Sequence, residues 1–235
     1  MVYLSWIFSL LCSVVFPVLL SVFLAKKSGS AKGVLLGMGC FTATQILLRI
    51  PLLSLLSLWA DYIVFQSLYP VAYLALLSLS AGIFEEFGRY VFIKFFMKKC
   101  SCADAFAFGA GHGGIEAVLL VGLSQFALVF LTGGSLAGYC ASDFLLSGAE
   151  RIFAICAHIG LSLIMWYGVN RSKSIIFVPL CIMLHGVFNF LAVYLQSLGV
   201  NAYIVEAVIA LFGIILLFVG IFLCRAFKKS CMEEK

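Results

Sequence analysis

Charged residues are scarce in this sequence. Asp, Glu, Lys and Arg make up 11% of its 235 residues and hydrophobic residues make up 64%, whereas a soluble domain carries about 25% charged residues. This composition excludes an ordinary soluble domain. The formal net charge of +5 is not the pattern of a nucleic-acid-binding protein. We therefore expect no nucleic-acid partner and assign the charge to loops beside a lipid bilayer.

Patterned cysteines are missing as well. The nine cysteines are scattered along the chain and odd in number, and no spacing between them is typical of a disulfide framework or a zinc site. Cys100 and Cys102 form a CSC sequence without partners at such a spacing. We therefore predict that the cysteines are mostly small hydrophobic residues of apolar helices.

Long apolar runs dominate instead. A spanning helix needs about 20 mostly apolar residues. The first run lacks a basic start and a small-residue cleavage site, so we expect it to be retained as a span. Pro51 should break or kink the second span, so that residues 52–62 either extend it or lie along the membrane interface. The seven runs are 3–25, 33–50, 70–97, 104–132, 149–169, 175–197 and 202–224.

These runs predict an all-α, polytopic helical membrane protein with about seven transmembrane helices. We expect residues 1–235 to form a single integral membrane domain, with a motif-bearing core at about 70–197. No repeat, linker or low-complexity tract interrupts the chain. The expected surroundings of this domain are therefore the lipid bilayer.

Basic residues alternate between the predicted connections. The connections around residue 60, at 133–148 and at 198–201 contain no Lys or Arg, and cytoplasmic loops carry an excess of these residues. We therefore predict an N-terminus outside the cell and a cytoplasmic C-terminus, in a multi-pass protein of a cell membrane, expected to be a bacterial cytoplasmic membrane. The basic residues behind this prediction are Lys26, Lys27, Lys32, Lys94, Lys98, Lys99, Arg171, Lys173, Arg225, Lys228, Lys229 and Lys235.

Polar residues inside the spans are the candidate functional residues. A charged side chain at the bilayer centre costs about 2.5–3.5 kcal/mol on insertion scales. Three i, i+4 pairs (85/89, 112/116 and 185/189) each share one helix face, at similar depths, which predicts one buried site. Arg49 and Glu206 lie nearer the outer ends and are interpreted as snorkelling. The set is Arg49, Glu85, Glu86, Arg89, His112, Glu116, Glu150, Arg151, His158, His185, Asn189 and Glu206.

Glycines flank two of the three histidines. Gly109 and Gly113 form a G-x-x-x-G sequence around His112, and Gly186 follows His185. Small residues let membrane helices approach closely, and they also leave room for a ligand beside each histidine. The sequence leaves both interpretations open.

These motifs resemble a known family of membrane proteins. EEFGR (85–89), FGAGH (108–112) and HGVFN (185–189) resemble the three signatures of the CPBP/Abi group, which contains the type II CAAX prenyl endopeptidases, a class of glutamate-dependent intramembrane proteases. The order EEFGR, GHGGIEA (111–117), ERIFAICAH (150–158) and HGVFN resembles the YhfC branch of membrane peptidases more closely. One residue fewer separates the acids from Arg89 than in the prenyl proteases, which leaves open which of Glu85 and Glu86 is the base.

The resemblance implies a hydrolase, namely a glutamic-type intramembrane endopeptidase. Its first acid, Glu85, is expected to activate water, with Glu86 second and His112 as the partner that shares the water. His185 and Asn189 are expected to stabilise the oxyanion. The expected substrate is a membrane-embedded or membrane-associated peptide or protein, with no cofactor. Supporting roles are implied for Arg89, Glu116, Glu150, Arg151 and His158.

Three other functions are compatible with the same residues. Three histidines and several acids could bind zinc, although the sequence contains no H-E-x-x-H motif. Buried Glu and His could form the relay of a proton-coupled transporter or channel, although no inverted repeat is visible. A non-catalytic scaffold or immunity protein could also share the fold, because fold does not determine function.

Overall fold

A computed structural model describes residues 1–28, 31–97 and 101–233, which are almost entirely helical. Seven of its helices are long and apolar enough to cross a membrane, which confirms the expected all-α class. The described residues do not include Lys98, Lys99, Cys100 and Lys235. The seven helices, numbered α1 to α7, are Val2–Lys27, Lys32–Leu56, Pro70–Phe96, Cys102–Leu131, Ala141–Asn170, Ser174–Ser197 and Ala202–Ser230.

The two ends of the bundle differ in charge. Because consecutive helices run in opposite directions, Lys27, Lys94 and Lys173 lie at one end, which we call the lysine-rich end. The connections between α2 and α3, between α4 and α5, and between α6 and α7 lie at the opposite, lysine-poor end. The orientation of these ends across the membrane, with the N-terminus outside, stays a prediction.

The second helix does not break at Pro51. A π-helical segment, Thr42–Arg49, leads into the helix Ile50–Leu56, where Pro51 occupies the first turn. The two segments follow each other without a gap, so α2 continues past Pro51 to Leu56. A short helix, Ala60–Leu68, then connects α2 to α3. The helical hydrogen bonding changes immediately before the proline, and a kink at Pro51 stays a prediction.

The fifth helix is the centre of the bundle. It packs against α1, α3, α4, α6 and α7, and 72% of its most apolar stretch is buried. Its start at Ala141 lies before the expected residue 149. Gly109 of α4 lies against its backbone, where an added Cβ would sit 2.5 Å from Cα of Ile159. At Gly113 an added Cβ would lie 3.1 Å from the His158 side chain. The glycines of the G-x-x-x-G sequence therefore serve helix packing.

One pair of cysteines departs from the sequence-based prediction. Cys102, at the start of α4, forms a disulfide with Cys224 near the end of α7. The two residues are 122 positions apart, and no spacing rule connects cysteines on two separate membrane helices. The expectation that the cysteines are mostly small hydrophobic residues does not extend to this pair.

Candidate active site

Two adjacent carboxylates on α3 lie at the centre of the site and have different partners. Glu85 is 2% exposed and Glu86 is 0% exposed. Glu85 accepts a hydrogen bond from Nε2 of Gln45 at 2.5 Å through Oε1, and its Oε2 lies 2.9 Å from Nε2 of His112. Oε1 of Glu86 lies 2.8 Å from Nδ1 of His185. Each acid is therefore bound to a histidine of a different helix.

Arg89 binds Glu86 and not Glu85. Its Nε lies 3.0 Å from Oε2 of Glu86, while the i, i+4 spacing favoured Glu85. Both spacings bring side chains together on a helix, and here the rest of the guanidinium is held by α5. Nη1 donates to the carbonyl of His158 at 2.6 Å and to Oγ of Ser162 at 2.5 Å. The fully buried arginine thereby ties α3 to α5.

A second group of charges lies between α4 and α5. Nη1 of Arg151 donates to Oε1 of Glu116 at 2.9 Å, and Nη2 donates to Oε1 of Glu150 at 2.5 Å. Nε2 of His158 lies 2.7 Å from Oε2 of Glu116. Glu150 is the outermost member, with 37% of its side chain exposed. The implied supporting residues therefore form one connected ion-pair network beside the two acids of α3.

The partners determine where the protons of two histidines lie. An arginine can only donate, and Nη2 of Arg89 lies 3.0 Å from Nδ1 of His158. Nδ1 of His158 is therefore the acceptor, and its Nε2–H donates to Glu116. The Glu86 carboxylate, paired with Arg89, accepts from Nδ1–H of His185. A neutral His185 then has a free lone pair on Nε2.

That lone pair faces a second acceptor. Nε2 of His185 lies 3.9 Å from Oε1 of Glu85, and two acceptors cannot hydrogen-bond to each other. While His185 is neutral, a group that satisfies both must donate two protons, as a water does, or be a cation. The arrangement of Glu85 and His185 thus defines a position for a water molecule or a metal ion.

This position lies at the base of a cavity. The cavity has a volume of about 260 Å³, and Glu85, Glu116, His185 and Asn189 are among its lining residues. The other lining residues, including Leu77 of α3 and Val193 of α6, lie closer to the lysine-poor end of their helices. The cavity therefore extends from the buried acids towards the lysine-poor end.

The three histidines cluster, but only one of them lines the cavity. The ring centroids of His112 and His158 are 4.8 Å apart, and those of His158 and His185 are 5.4 Å apart. His112 is fully buried and packs edge-on against Phe41 at 5.4 Å. His112 and His158 are not among the residues that line the cavity, and His112 is linked to the water position through Glu85. Asn189 lines the cavity, and its amide makes no hydrogen bond to a described residue.

Two residues of α2 join the site: Gln45, which sequence analysis missed, and Arg49, which it interpreted as a snorkelling residue. Gln45 donates to Glu85, and Nη1 of Arg49 donates to Oε1 of Gln45 at 3.1 Å, which fixes the orientation of the amide. Arg49 lines the cavity, so its interpretation as a snorkelling residue is wrong. The available signal was the i, i+4 spacing of the two polar residues within an apolar span. Both lie in the π-helical segment of α2, and such segments are frequent at functional sites.

Part of the site fits a metal ion. One ligand atom from each of Glu85, His158 and His185 lies within 4.8 Å of the others, and all three residues are buried. Two histidines and one glutamate are a known ligand set of catalytic zinc. The Nδ1–H of His185 donates to a carboxylate, as in most metal-bound histidines. His158 can ligate a metal through Nε2 only if its proton moves to Nδ1, which faces the Arg89 guanidinium.

Comparison with known proteins agrees with these motifs. The sequence profile of a family described as "YhfC intramembrane metalloprotease" matches residues 12–141 and 135–210. A curated relative, the uncharacterized membrane protein YhfC of Bacillus subtilis (strain 168), is 39% identical over 57% of this chain and 61% of its own length. The chain thus spans about three-fifths of that relative. No solved structure matches. With its seven apolar helices, this multi-pass membrane protein belongs to the YhfC intramembrane metalloprotease family.

Proposed function

We propose that this protein is an intramembrane peptidase that hydrolyses a peptide bond of a membrane-associated substrate. The observation that carries the proposal is the pair of acceptors, Nε2 of His185 and Oε1 of Glu85, 3.9 Å apart at the base of a cavity. A water molecule held there lies beside carboxylates that can accept its proton. The description of the family as a protease supports the same reaction.

A metal ion is the first candidate for activating this water. Glu85 and His185 would hold it, with His158 as the third ligand. When bound, such an ion acidifies a coordinated water and polarises the substrate carbonyl. The family description favours this candidate.

The residues around the water position have defined tasks in this reaction. Glu86 accepts from Nδ1–H of His185 and so directs Nε2 towards the cavity, and Arg89 holds Glu86 in place. Glu116, the second carboxylate of the cavity wall, accepts the proton of the water. The free amide of Asn189 donates to the developing oxyanion, a contribution that can be among the largest in acyl transfer.

A second candidate uses Glu85 alone as the base. His112 and Gln45 each donate to one of its oxygens, and a carboxylate oxygen has a further lone pair for the water. In this mechanism Oε1 of Glu85 takes the proton directly. The geometry of Glu85 favours it because both donors hold the carboxylate against rotation. The two candidates share the water position; they differ in whether a metal is required and in which carboxylate, Glu116 or Glu85, takes the proton.

An activity assay distinguishes the metal mechanism from the glutamate mechanism. The purified protein in detergent is mixed with a library of apolar membrane peptides and their hydrolysis is measured. We expect ortho-phenanthroline to abolish hydrolysis and added zinc to restore it, while the non-chelating meta isomer has no effect. His185→Ala should lose bound zinc, measured by elemental analysis of the purified protein. Activity that resists the chelator but disappears in Glu85→Gln would favour the glutamate mechanism. Absence of hydrolysis across the library, with zinc present, would contradict the peptidase proposal.

A further inference from the structure

Arg49 is a cationic residue of α2 whose guanidinium makes no direct ion pair with a described acid. Its Nε donates to Oγ of Ser80 at 3.0 Å, its Nη1 to Oε1 of Gln45 at 3.1 Å and its Nη2 to the carbonyl of Leu77 at 2.7 Å. These three partners are neutral. Within residues 1–28, 31–97 and 101–233, no carboxylate oxygen lies within 4 Å of the Arg49 guanidinium.

The other two arginines of the site are different. Arg89 is paired with Glu86, and Arg151 is paired with Glu116 and Glu150. A cation within a membrane span is costly, and such residues normally pair or line a polar pathway. A guanidinium has five N–H groups, of which Arg49 uses three. The remaining two are available to a group that enters the cavity.

The position of Arg49 relates this charge to the proposed water site. Arg49 lines the same cavity as Glu85 and His185, and one side-chain amide, that of Gln45, separates its guanidinium from the Glu85 carboxylate. It lies one helical turn closer to the lysine-poor end than Gln45. An extended peptide covers this separation with about one or two residues, at about 3.3–3.6 Å each.

We propose that Arg49 is an anion-binding subsite that takes a carboxylate of the substrate, one or two residues away from the scissile bond. The carboxylate is either a free C-terminus or an acidic side chain, and both would form the same charge-assisted pair with the guanidinium. Two further acids of the cavity wall, Glu116 and Glu150, are paired with Arg151. This assignment rests on the proposed peptidase function, because it treats the bound peptide as a substrate. Peptide binding to Arg49 can nevertheless be measured without turnover.

Binding of short peptides is the first test. In protein that carries Glu85→Gln, which prevents turnover, we would compare an N-acetylated trileucine peptide as its free acid and as its amide. A second pair of amidated peptides ends in glutamate or glutamine and tests a side-chain carboxylate. We expect one of the two carboxylate peptides to bind about tenfold or more tighter than its neutral counterpart, as hydrogen bonds to charged groups predict.

Variants of Arg49 test whether this residue causes the preference for carboxylate peptides. Arg49→Gln should reduce the ratio of affinities to about one, and Arg49→Lys should retain part of it because the charge is kept. Arg225→Gln, the same change at an exposed residue near the lysine-rich end, should leave the ratio as in the parent protein. Equal affinity for acid and neutral peptides in both pairs, or a preference that survives Arg49→Gln, would overturn the subsite.

Activity provides an independent readout. Where the wild-type enzyme cleaves a library peptide, the ratio of kcat/KM between its acid and neutral forms should fall in Arg49→Gln. This ratio cancels any general loss of activity caused by a displaced Gln45. Hydrolysis of both forms at equal rates would refute the subsite while leaving the peptidase proposal intact. Acid-selective binding without hydrolysis of any peptide would refute the peptidase proposal and retain the subsite.

Discussion

Removal of Arg89 should destabilise the protein strongly, because it leaves an acid buried without its partner. Arg89 and Glu86 are both 0% exposed and their charged atoms are 3.0 Å apart. Breaking a buried ion pair by deleting one partner costs about 3–5 kcal/mol. Arg89→Met also removes the hydrogen bonds to the His158 carbonyl and Ser162. We therefore expect a loss of at least about 3 kcal/mol in the free energy of unfolding.

A second substitution separates the charge from the lost packing. Glu86→Gln in the Arg89→Met background removes the unpaired charge, and its amide oxygen can still accept from His185. We expect the double variant to be more stable than Arg89→Met alone by about 1–3 kcal/mol, the usual coupling of residues in contact. The unfolding free energy can be measured by titrating detergent micelles with sodium dodecyl sulfate and following tryptophan fluorescence.

An exposed arginine provides the control. Arg225→Met should change stability by no more than about 0.5 kcal/mol, as surface substitutions usually do. A loss below about 1 kcal/mol in the free energy of unfolding of Arg89→Met would refute the reasoning, because a buried Glu86 charge without a partner should cost more than that. If the double variant is less stable than Arg89→Met alone, the argument that an unpaired Glu86 charge causes the loss would be refuted.

Three further predictions concern packing, catalysis and topology. At Gly37 a methyl group would collide with the Phe108 carbonyl and lie 2.8 Å from N of His112, so Gly37→Ala should cost about 1–3 kcal/mol of stability in the same unfolding assay. Asn189→Ala should lower kcat by about 10²–10³, as for one lost oxyanion donor, with bound zinc unchanged. In a chain without other reactive cysteines, a cysteine introduced at Ser135 should be labelled by a thiol reagent added outside. A cysteine introduced at Lys173 should be labelled only from inside. The reverse pattern would contradict an external N-terminus.

The sequence by itself determined the architecture and the set of candidate residues. In a bilayer the backbone must satisfy its own hydrogen bonds, so seven apolar runs of spanning length have to be helices. The cost of an ionisable group at membrane depth separates Glu85, Glu86 and the three histidines from the apolar background. The order of the motifs then indicated the family. None of these inferences requires knowledge of which helices are neighbours.

Only the tertiary structure decided which groups meet. A helical spacing shows which residues share a face, but both i+3 and i+4 neighbours lie there, and contacts with α5 select Glu86 as the partner of Arg89. The link from Arg49 through Gln45 to Glu85 joins α2 to α3, and no periodicity within one helix predicts a contact between two. The free lone pair of His185 follows in the same way, since it depends on the Nδ1–H of His185 donating to Glu86. Helix packing therefore turned a list of polar residues into a site with a defined position for water or metal.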